Sequence, residues 1–154
     1  MPIPEFIVRL RGRIGHDPLW LASVTAVVLR GEEVLLVRRV DNGQWAPVSG
    51  IVDPGEHPAD CAVREVLEET TVDVEVEGLA WVSVSQPVIH VNGDQAQYLV
   101  HVFRCRFLGG EARVGDDESL EVGWFHLDDL PPMHRVLVDR IDAAVAHEGV
   151  TRLA

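Results

Sequence analysis

The sequence predicts a mixed α/β (α+β) domain in which a mixed β-sheet is sandwiched between helices. Several β-branched and aliphatic runs are separated by turn signals, as expected for strands. Other segments repeat apolar residues at helical spacing. The chain has 154 residues, of which 47% are hydrophobic and 25% charged, and it shows no internal repeat or linker. These values suit one globular unit, so we expect a single domain over residues 1–154, with residues 1–20 as an N-terminal helical arm.

The N-terminal segment predicts a short amphipathic helix. Phe6, Ile7, Leu10 and Ile14 recur at near-helical spacing and form an apolar stripe. Such a stripe needs a partner surface. Either the arm packs on the body of the domain, or it forms the contact of a homodimer. The start of the chain lacks the basic and apolar regions of a secretory signal, so we expect it to be part of the mature fold.

The predicted strands fall into two groups. Residues 24–29 and 34–37 form a hairpin around Arg30-Gly31-Glu32-Glu33. The Val-rich stretch 72–91 and the stretch 98–107 form two long antiparallel strands, for which Asn92-Gly93 predicts a two-residue turn. A further strand over residues 122–127 and a terminal helix over residues 133–146 complete the order.

Charge and cysteine content restrict the possible partners. The formal net charge of -12 repels phosphate backbones, so we expect no nucleic-acid polymer as a partner. No stretch has the length and apolar character of a membrane-spanning helix, so no membrane contact is expected. The two cysteines, Cys61 and Cys105, lack paired spacing, which favours a reducing, cytoplasmic location. An acidic protein that handles phosphates must recruit cations.

A helix over residues 58–70 follows the turn signal Asp53-Pro54-Gly55. On a helical wheel, Glu65, Glu68 and Glu69 share one narrow face, and apolar residues occupy the opposite arc. Like charges at these spacings repel one another. Because carboxylate oxygens suit hard cations and no zinc-type His/Cys cluster exists, Mg²⁺ is favoured, with Mn²⁺ as a substitute. From this helix alone, a solvated acidic face with Arg64 paired to Glu68 remains the alternative.

The loop before the helix decides between these alternatives. Together with the helix it carries fixed residue types at fixed spacings, namely Gly50, Glu56, Arg64, Glu65, Val66, Glu68, Glu69 and Val72. This pattern resembles the Nudix box, G-x5-E-x7-R-E-U-x-E-E-x-G-U, where U is aliphatic. The single departure is Thr71, which replaces the last Gly. A β-branched residue would lose about 1–2 kcal/mol in the left-handed conformation that such a Gly adopts, so we expect the helix to end differently here.

The resemblance implies a function and a set of roles. Glu65, Glu68 and Glu69 would bind the divalent cation, with the Gly50 carbonyl as a backbone ligand. Arg64 and Glu56 would form an ion pair that steadies the loop and orients the ligands. The implied reaction is attack of an activated water on phosphorus of a nucleoside diphosphate linked to another moiety, such as an ADP-ribose-like compound, a (d)NTP or a dinucleotide. The alternative is a Nudix-fold module that senses a nucleotide without turnover.

The general base has several candidates. Glu68 and Glu69 lie in the helix, whereas Asp117, Glu118 and Glu121 lie in or after an acidic loop. Of these loop residues we predict a catalytic or metal role for Glu118. Asp116 and Asp117 are interpreted as solvated loop acids.

Substrate contacts are predicted from residue type and position. The aromatic rings of Trp45 and Trp124 could stack on a base, and His57, Gln97 and Tyr98 could line a substrate cleft. For Trp45 we favour packing under the Gly50 loop, and for Tyr98 packing on the sheet is an equal alternative.

Overall fold

A computed structural model describes residues 3–154 of the chain. This part contains the helices α1 (Glu5–Ile14), α2 (Pro58–Thr70) and α3 (Arg135–Val145). The strands are β1 (Leu19–Arg30), β2 (Glu33–Arg39), β3 (Trp45–Ala46), β4 (Val48–Ile51), β5 (Asp73–Val84), β6 (Val88–Ile89), β7 (Gln95–Gly109) and β8 (Ser119–His126). No helix of this described part is long and apolar enough to cross a membrane.

The strands form one mixed, 8-stranded sheet. Its main path runs β3-β2-β1-β7-β5, while β4 pairs with β1, β6 with β7, and β8 with β2. Strands β1 and β7 are parallel, from Leu19 opposite Ala96 to Leu29 opposite Arg106. All other pairs are antiparallel, including the predicted β1–β2 hairpin and the long β5–β7 pair. The predicted mixed sheet is confirmed.

Each face of the sheet carries its own core. On one face, Cys61, Ala62 and Val66 of α2 pack against strand residues that include Val24 and Leu35. On the other face, α3 contributes Ile141 and Ala144 to a second core. Because successive side chains of a strand point to opposite faces, the continuous apolar run of β1 serves both cores. The sheet is therefore sandwiched between helices, as predicted.

Helix α1 packs on the body of the domain. Ile7 is buried against Leu21 and Ala96. The Arg11 side chain donates to the backbone oxygen of Gln95 at 2.6 Å. His16 Nδ1 also lies 2.8 Å from an Asp94 carboxylate oxygen. These contacts agree with the first of the two alternatives for the arm, while a homodimer contact stays a prediction. Residues 1 and 2 of the predicted arm lie outside the described residues.

The predicted two-residue turn at Asn92-Gly93 is wrong. Strands β6 and β7 are joined through residues 90–94, and the His90 N–H donates to the Asp94 backbone oxygen at 2.8 Å. The Asn92 side chain accepts a hydrogen bond from the Asp94 N–H at 3.0 Å. Asn therefore organises a wider turn through its side chain. The Val-rich stretch also breaks after Val84, so that β5 and β6 are separate strands.

Candidate metal centre

Helix α2 presents its carboxylates unequally. The helix begins at Pro58, a residue suited to the first helical turn, where an N–H has no helical partner. Glu65 is 0% exposed and Glu69 only 5% exposed, whereas Glu68 is exposed. Carboxylates are rarely buried unless they are paired or bind a cation. Glu65 and Glu69 are therefore not part of a solvated surface, whereas Glu68 is exposed and pairs with Arg64 at 3.3 Å, as the alternative for this helix predicted.

Glu65 fills the space beside Gly50. A Cβ atom at Gly50 would lie 2.3 Å from the Glu65 Cδ, so only glycine leaves room for this carboxylate. Arg64 Nη1 donates to Glu65 Oε1 at 2.9 Å. The other oxygen, Oε2, is buried and has no hydrogen-bond partner among the described residues. Burial raises the pKa of Glu65 to about 7, although Arg64 opposes this shift.

Glu69 belongs to a second cluster that includes the acidic loop. One carboxylate oxygen each from Glu69, Asp116 and Glu118 lies within 4.8 Å of the others, a grouping that could hold a metal ion. Burial raises the pKa of Glu69 to about 8, and the charges of Glu65 and Asp116 add to the shift. Burial likewise raises the pKa of Asp116. A divalent cation would offset this repulsion.

Backbone hydrogen bonds hold the acidic loop against the end of α2. The Gly115 N–H donates to the Glu69 backbone oxygen at 2.9 Å, and the Arg113 N–H donates to that of Thr70 at 3.0 Å. A Cβ at Gly115 would lie 2.2 Å from the Glu68 backbone oxygen, so this close approach requires glycine. The interpretation of Asp116 as a solvated loop acid is thereby corrected, because the docked loop half-buries it beside Glu69. The sequence signal for this docking was Gly115, directly before the acids.

Arg64 forms the predicted ion pair with Glu56. Its Nε and Nη2 atoms donate to the two Glu56 oxygens at 2.7 and 3.0 Å. Glu56 also accepts the Asp53 N–H at 3.0 Å, and Arg64 donates to Glu68 at 3.3 Å. The Arg64 guanidinium holds the pKa of Glu56 below its usual range. This bidentate pair joins the loop to the helix.

The expectation that the helix ends differently at Thr71 is wrong. Thr71 has φ 59° and ψ 19°, the left-handed conformation that glycine usually supplies, and its N–H donates to the Leu67 backbone oxygen at 3.0 Å. Its hydroxyl donates to the Glu111 backbone oxygen at 2.7 Å, and the next residue, Val72, is fully buried. These tertiary contacts offset the cost of a left-handed β-branched residue.

Two clefts border the carboxylates. The larger, of about 1040 Å³, lies between α1 and the Asp53-Pro54 turn, and Arg64, Glu68 and Asp116 also line it. The smaller, of about 220 Å³, is lined by Arg39, Glu69 and Glu118 among others. Arg39 donates to both Asp41 oxygens, at 2.7 and 2.9 Å. The carboxylates thus face a space large enough for a nucleotide-sized ligand.

The predicted substrate contacts lie elsewhere. Trp45 does not pack under the Gly50 loop. The centroids of the Trp45 and Phe125 rings lie 4.7 Å apart in the core beneath α3. Trp45 lies there because its strand, β3, pairs with β2. The Tyr98 hydroxyl forms a hydrogen bond with His90 Nε2 at 2.8 Å, and the Gln97 side chain donates to the Ser85 backbone oxygen. His57 is exposed and lies directly before α2. None of these four residues lines either cleft.

Two further candidates from the sequence have partners of their own. Glu121 accepts a hydrogen bond from Arg38 at 2.7 Å and does not join the Glu69 cluster. Trp124 packs edge-on against Phe107 at 5.3 Å, with the Arg30 guanidinium over its ring at 4.0 Å. A stacking role for Trp124 would require Arg30 to leave that face of the ring.

The mixed sheet, the glycine-seated carboxylate and the docked acidic loop together define a domain with an acidic site suited to divalent cations. Residues 20–145 match the sequence model of the NUDIX domain. The chain belongs to the Nudix family, as the box motif predicted.

Several relatives and solved structures are similar to this chain. The NAD-capped RNA hydrolase NudC of Pseudomonas syringae pv. tomato (strain ATCC BAA-871 / DC3000) is 37% identical over 126 residues, which are 77% of this chain and 42% of that protein. The chain thus spans about two fifths of the length of that relative. An ADP-ribose pyrophosphatase of Streptococcus suis 89-1591 has a TM-score of 0.65 at 24% identity, covering 87% of this chain and 98% of its own.

A UDP-X diphosphatase structure has a TM-score of 0.72 at 24% identity, covering 97% of this chain and 74% of its own. At this level of identity the two structures show the shared fold alone. The predicted fold class is therefore confirmed.

Proposed function

We propose that the chain hydrolyses a nucleoside diphosphate linked to another moiety, and that Mg²⁺ is required. The observation that carries the proposal is the buried Glu65 carboxylate, whose Oε2 has no hydrogen-bond partner among the described residues. Arg64 contacts only Oε1 of this carboxylate, so an ionised Glu65 leaves the buried Oε2 without a positive partner. The Nudix family assignment supplies the reaction class.

The donor set fits a hard divalent cation. Carboxylate oxygens of Glu69, Asp116 and Glu118 lie within 4.8 Å of one another beside the clefts, and the charge of the buried Glu65 acts on Glu69. Glu68 and the Gly50 carbonyl complete the set implied by the box. Oxygen donors without thiolate or imidazole favour Mg²⁺ or Mn²⁺. When bound, the cation supplies charge neutralisation for the diphosphate and activates a water molecule.

The residues of the chain have separate tasks in this proposal. Arg64 and Glu56 hold the loop and helix in register, so that the carboxylates keep their positions. Glu68, which is exposed to the larger cleft, and Glu118, which lies beside Glu69, are the two candidates to accept the proton of the attacking water. Measuring kcat against pH in Glu68→Gln and Glu118→Gln variants distinguishes the two candidates. Only loss of the proton acceptor should abolish the decrease of kcat at low pH.

We infer the substrate class from the names of the relatives and from the net charge of this chain. The named relatives act on NAD-capped RNA, ADP-ribose and UDP-X, all of which contain a nucleoside diphosphate. The net charge of -12 disfavours a long polyanion, so we propose a small nucleotide substrate. The cytoplasmic location and the homodimer also remain proposals.

A substrate panel tests the proposal. The panel contains ADP-ribose, NAD⁺, a UDP-sugar, a (d)NTP, a dinucleotide and an NAD-capped RNA oligonucleotide, each with Mg²⁺ and with chelator. We expect Mg²⁺-dependent release of phosphorylated products from at least one small substrate. Turnover of the capped RNA alone would contradict the small-substrate assignment, and tight binding without any turnover would favour the sensing module.

A further inference from the structure

Helix α1 forms one wall of the larger cleft. Its residues Glu5, Phe6, Val8 and Arg9 line the same space as Arg64, Glu68 and Asp116. The NUDIX match begins at residue 20, so this wall lies outside the region that the family model describes. The wall is therefore a feature of this chain that the family assignment does not explain.

Two arginine side chains line the cleft, and they differ in whether they form ion pairs within the protein. Arg64 is engaged with Glu56, Glu65 and Glu68, and it also lies 3.7 Å from Asp53. Arg9 is exposed and makes no hydrogen bond or ion pair with another residue of the part that the structure describes. Glu5 lies one turn earlier on the same helix but forms no salt bridge with it. Arg9 is thus available to an anionic ligand.

Contacts before and after Arg9 hold helix α1 against the body of the domain. Ile7 anchors the helix in a small core with Leu21 and Ala96. One turn after Ile7, Arg11 bonds to the Gln95 backbone oxygen. Because the helix is held at both points, the backbone position of Arg9 beside the cleft is set before a ligand binds. Only the exposed side chain of Arg9 then has to be ordered on binding.

We propose that Arg9 binds a phosphate oxygen of the nucleoside diphosphate. This inference rests on the proposed function for the identity of the ligand. A cation held by the carboxylates would neutralise part of the charge of the diphosphate, and the Arg9 guanidinium, which lines the same cleft, would donate hydrogen bonds to a further phosphate oxygen. In a protein of net charge -12, an unpaired guanidinium in the cleft favours binding of a phosphate group.

Direct binding of a non-hydrolysable ligand tests this assignment. The probe is α,β-methylene-ADP with Mg²⁺, titrated into the full chain by calorimetry. We expect Arg9→Ala to weaken binding at least about tenfold, as for loss of a charge-assisted hydrogen bond, and Arg9→Lys to weaken it less. The matched control is Arg13→Ala, which removes the same charge one turn further along α1, outside the cleft, and should change affinity less than twofold.

The outcomes separate this inference from the proposed function. Equal affinities of Arg9→Ala and the wild type, or equal losses in Arg9→Ala and Arg13→Ala, would overturn the role of Arg9. If the wild type hydrolyses a panel substrate while Arg9→Ala keeps its KM, the function stands and the inference fails. If the wild type binds the probe without hydrolysing any substrate and Arg9→Ala binds it weakly, the inference stands and the enzyme proposal fails. A wild type that neither binds nor hydrolyses contradicts both.

Discussion

Two groups of charges, each formed by residues of α2 and of a neighbouring loop, differ in how their charges are balanced. In the first group, the Arg64 guanidinium donates hydrogen bonds to both carboxylate oxygens of Glu56. These bonds lower the pKa of Glu56. In the second, Glu69 faces Glu65 and Asp116, and its pKa is raised to about 8. The first group has its counter-charges within the protein chain. In the second group the carboxylates outnumber the cations that act on them, so under the proposed function an added cation would balance it.

The largest expected effect comes from removing a carboxylate of the second group. Glu69→Gln should lower Mg²⁺-dependent turnover by about 100–1000-fold, because it removes a charge that holds the cation at the reacting phosphate. Initial rates across a Mg²⁺ titration measure the loss. The matched control is Asp60→Asn, an exposed acid in the first turn of the same helix, which should keep at least half of the activity. A similar loss in both variants would contradict a specific role for Glu69.

Breaking the first group should reduce stability more than binding. Arg64→Ala leaves Glu56 and Glu65 without their cation, and we expect the free energy of unfolding to fall by about 1–3 kcal/mol. Urea unfolding with added chelator measures this change. Because Arg64 is partly exposed, solvent screens its ion pairs, and we expect the loss of stability to lie near the lower end of this range. A double-mutant cycle with Glu56→Gln should show positive coupling, and additive effects would mean that the pair contributes no stability.

The stability of the metal-free protein should depend on pH through the carboxylates of the second group. Raised pKa values mean that the folded state holds protons on Glu65 and Glu69 that the unfolded state has already lost. Stability should therefore decrease as pH rises from about 4.5 to 8. Thermal unfolding in chelator at several pH values measures the slope, which Glu69→Gln should reduce. Added Mg²⁺ should raise the melting temperature more at pH 8 than at pH 5.5.

The smallest effects are expected at Thr71. Thr71→Val keeps the shape but removes the hydrogen bond to Glu111, and should lower the free energy of unfolding by about 1 kcal/mol. Thr71→Gly relieves the left-handed backbone and loses the same bond, so we expect a net change below about 1 kcal/mol. Chemical denaturation of the three proteins checks the order. A large gain in stability for Thr71→Gly would show that the backbone strain outweighs the hydrogen bond.

The sequence predicted what depends on local spacing. The Gly50, Glu56 and Arg64 positions indicated the family, and the helical wheel predicted that the three glutamates share one face. The wheel could not show that Glu65 and Glu69 are buried while Glu68 is exposed, because burial depends on what packs over the helix.

The remaining differences have the same origin in tertiary contacts. Asp116 lies in a loop whose docking requires hydrogen bonds to the end of α2. Thr71 keeps a left-handed conformation because the Glu111 carbonyl lies within reach of its hydroxyl. Trp45 lies in the core beneath α3 because β3 pairs with β2. Propensities and spacing do not encode these distant partners.

The grouping of Glu69 with Asp116 and Glu118 also concerns how the chain folds. These carboxylates come from parts of the chain separated by the whole of β5, β6 and β7. Under the proposed function, an ion bound to all three would act as a removable cross-link that closes this long segment, and it would reduce the entropy of the unfolded chain as a disulfide does. An isolated peptide of α2 would lack the Asp116 and Glu118 carboxylates, so this grouping exists only once the native fold has formed.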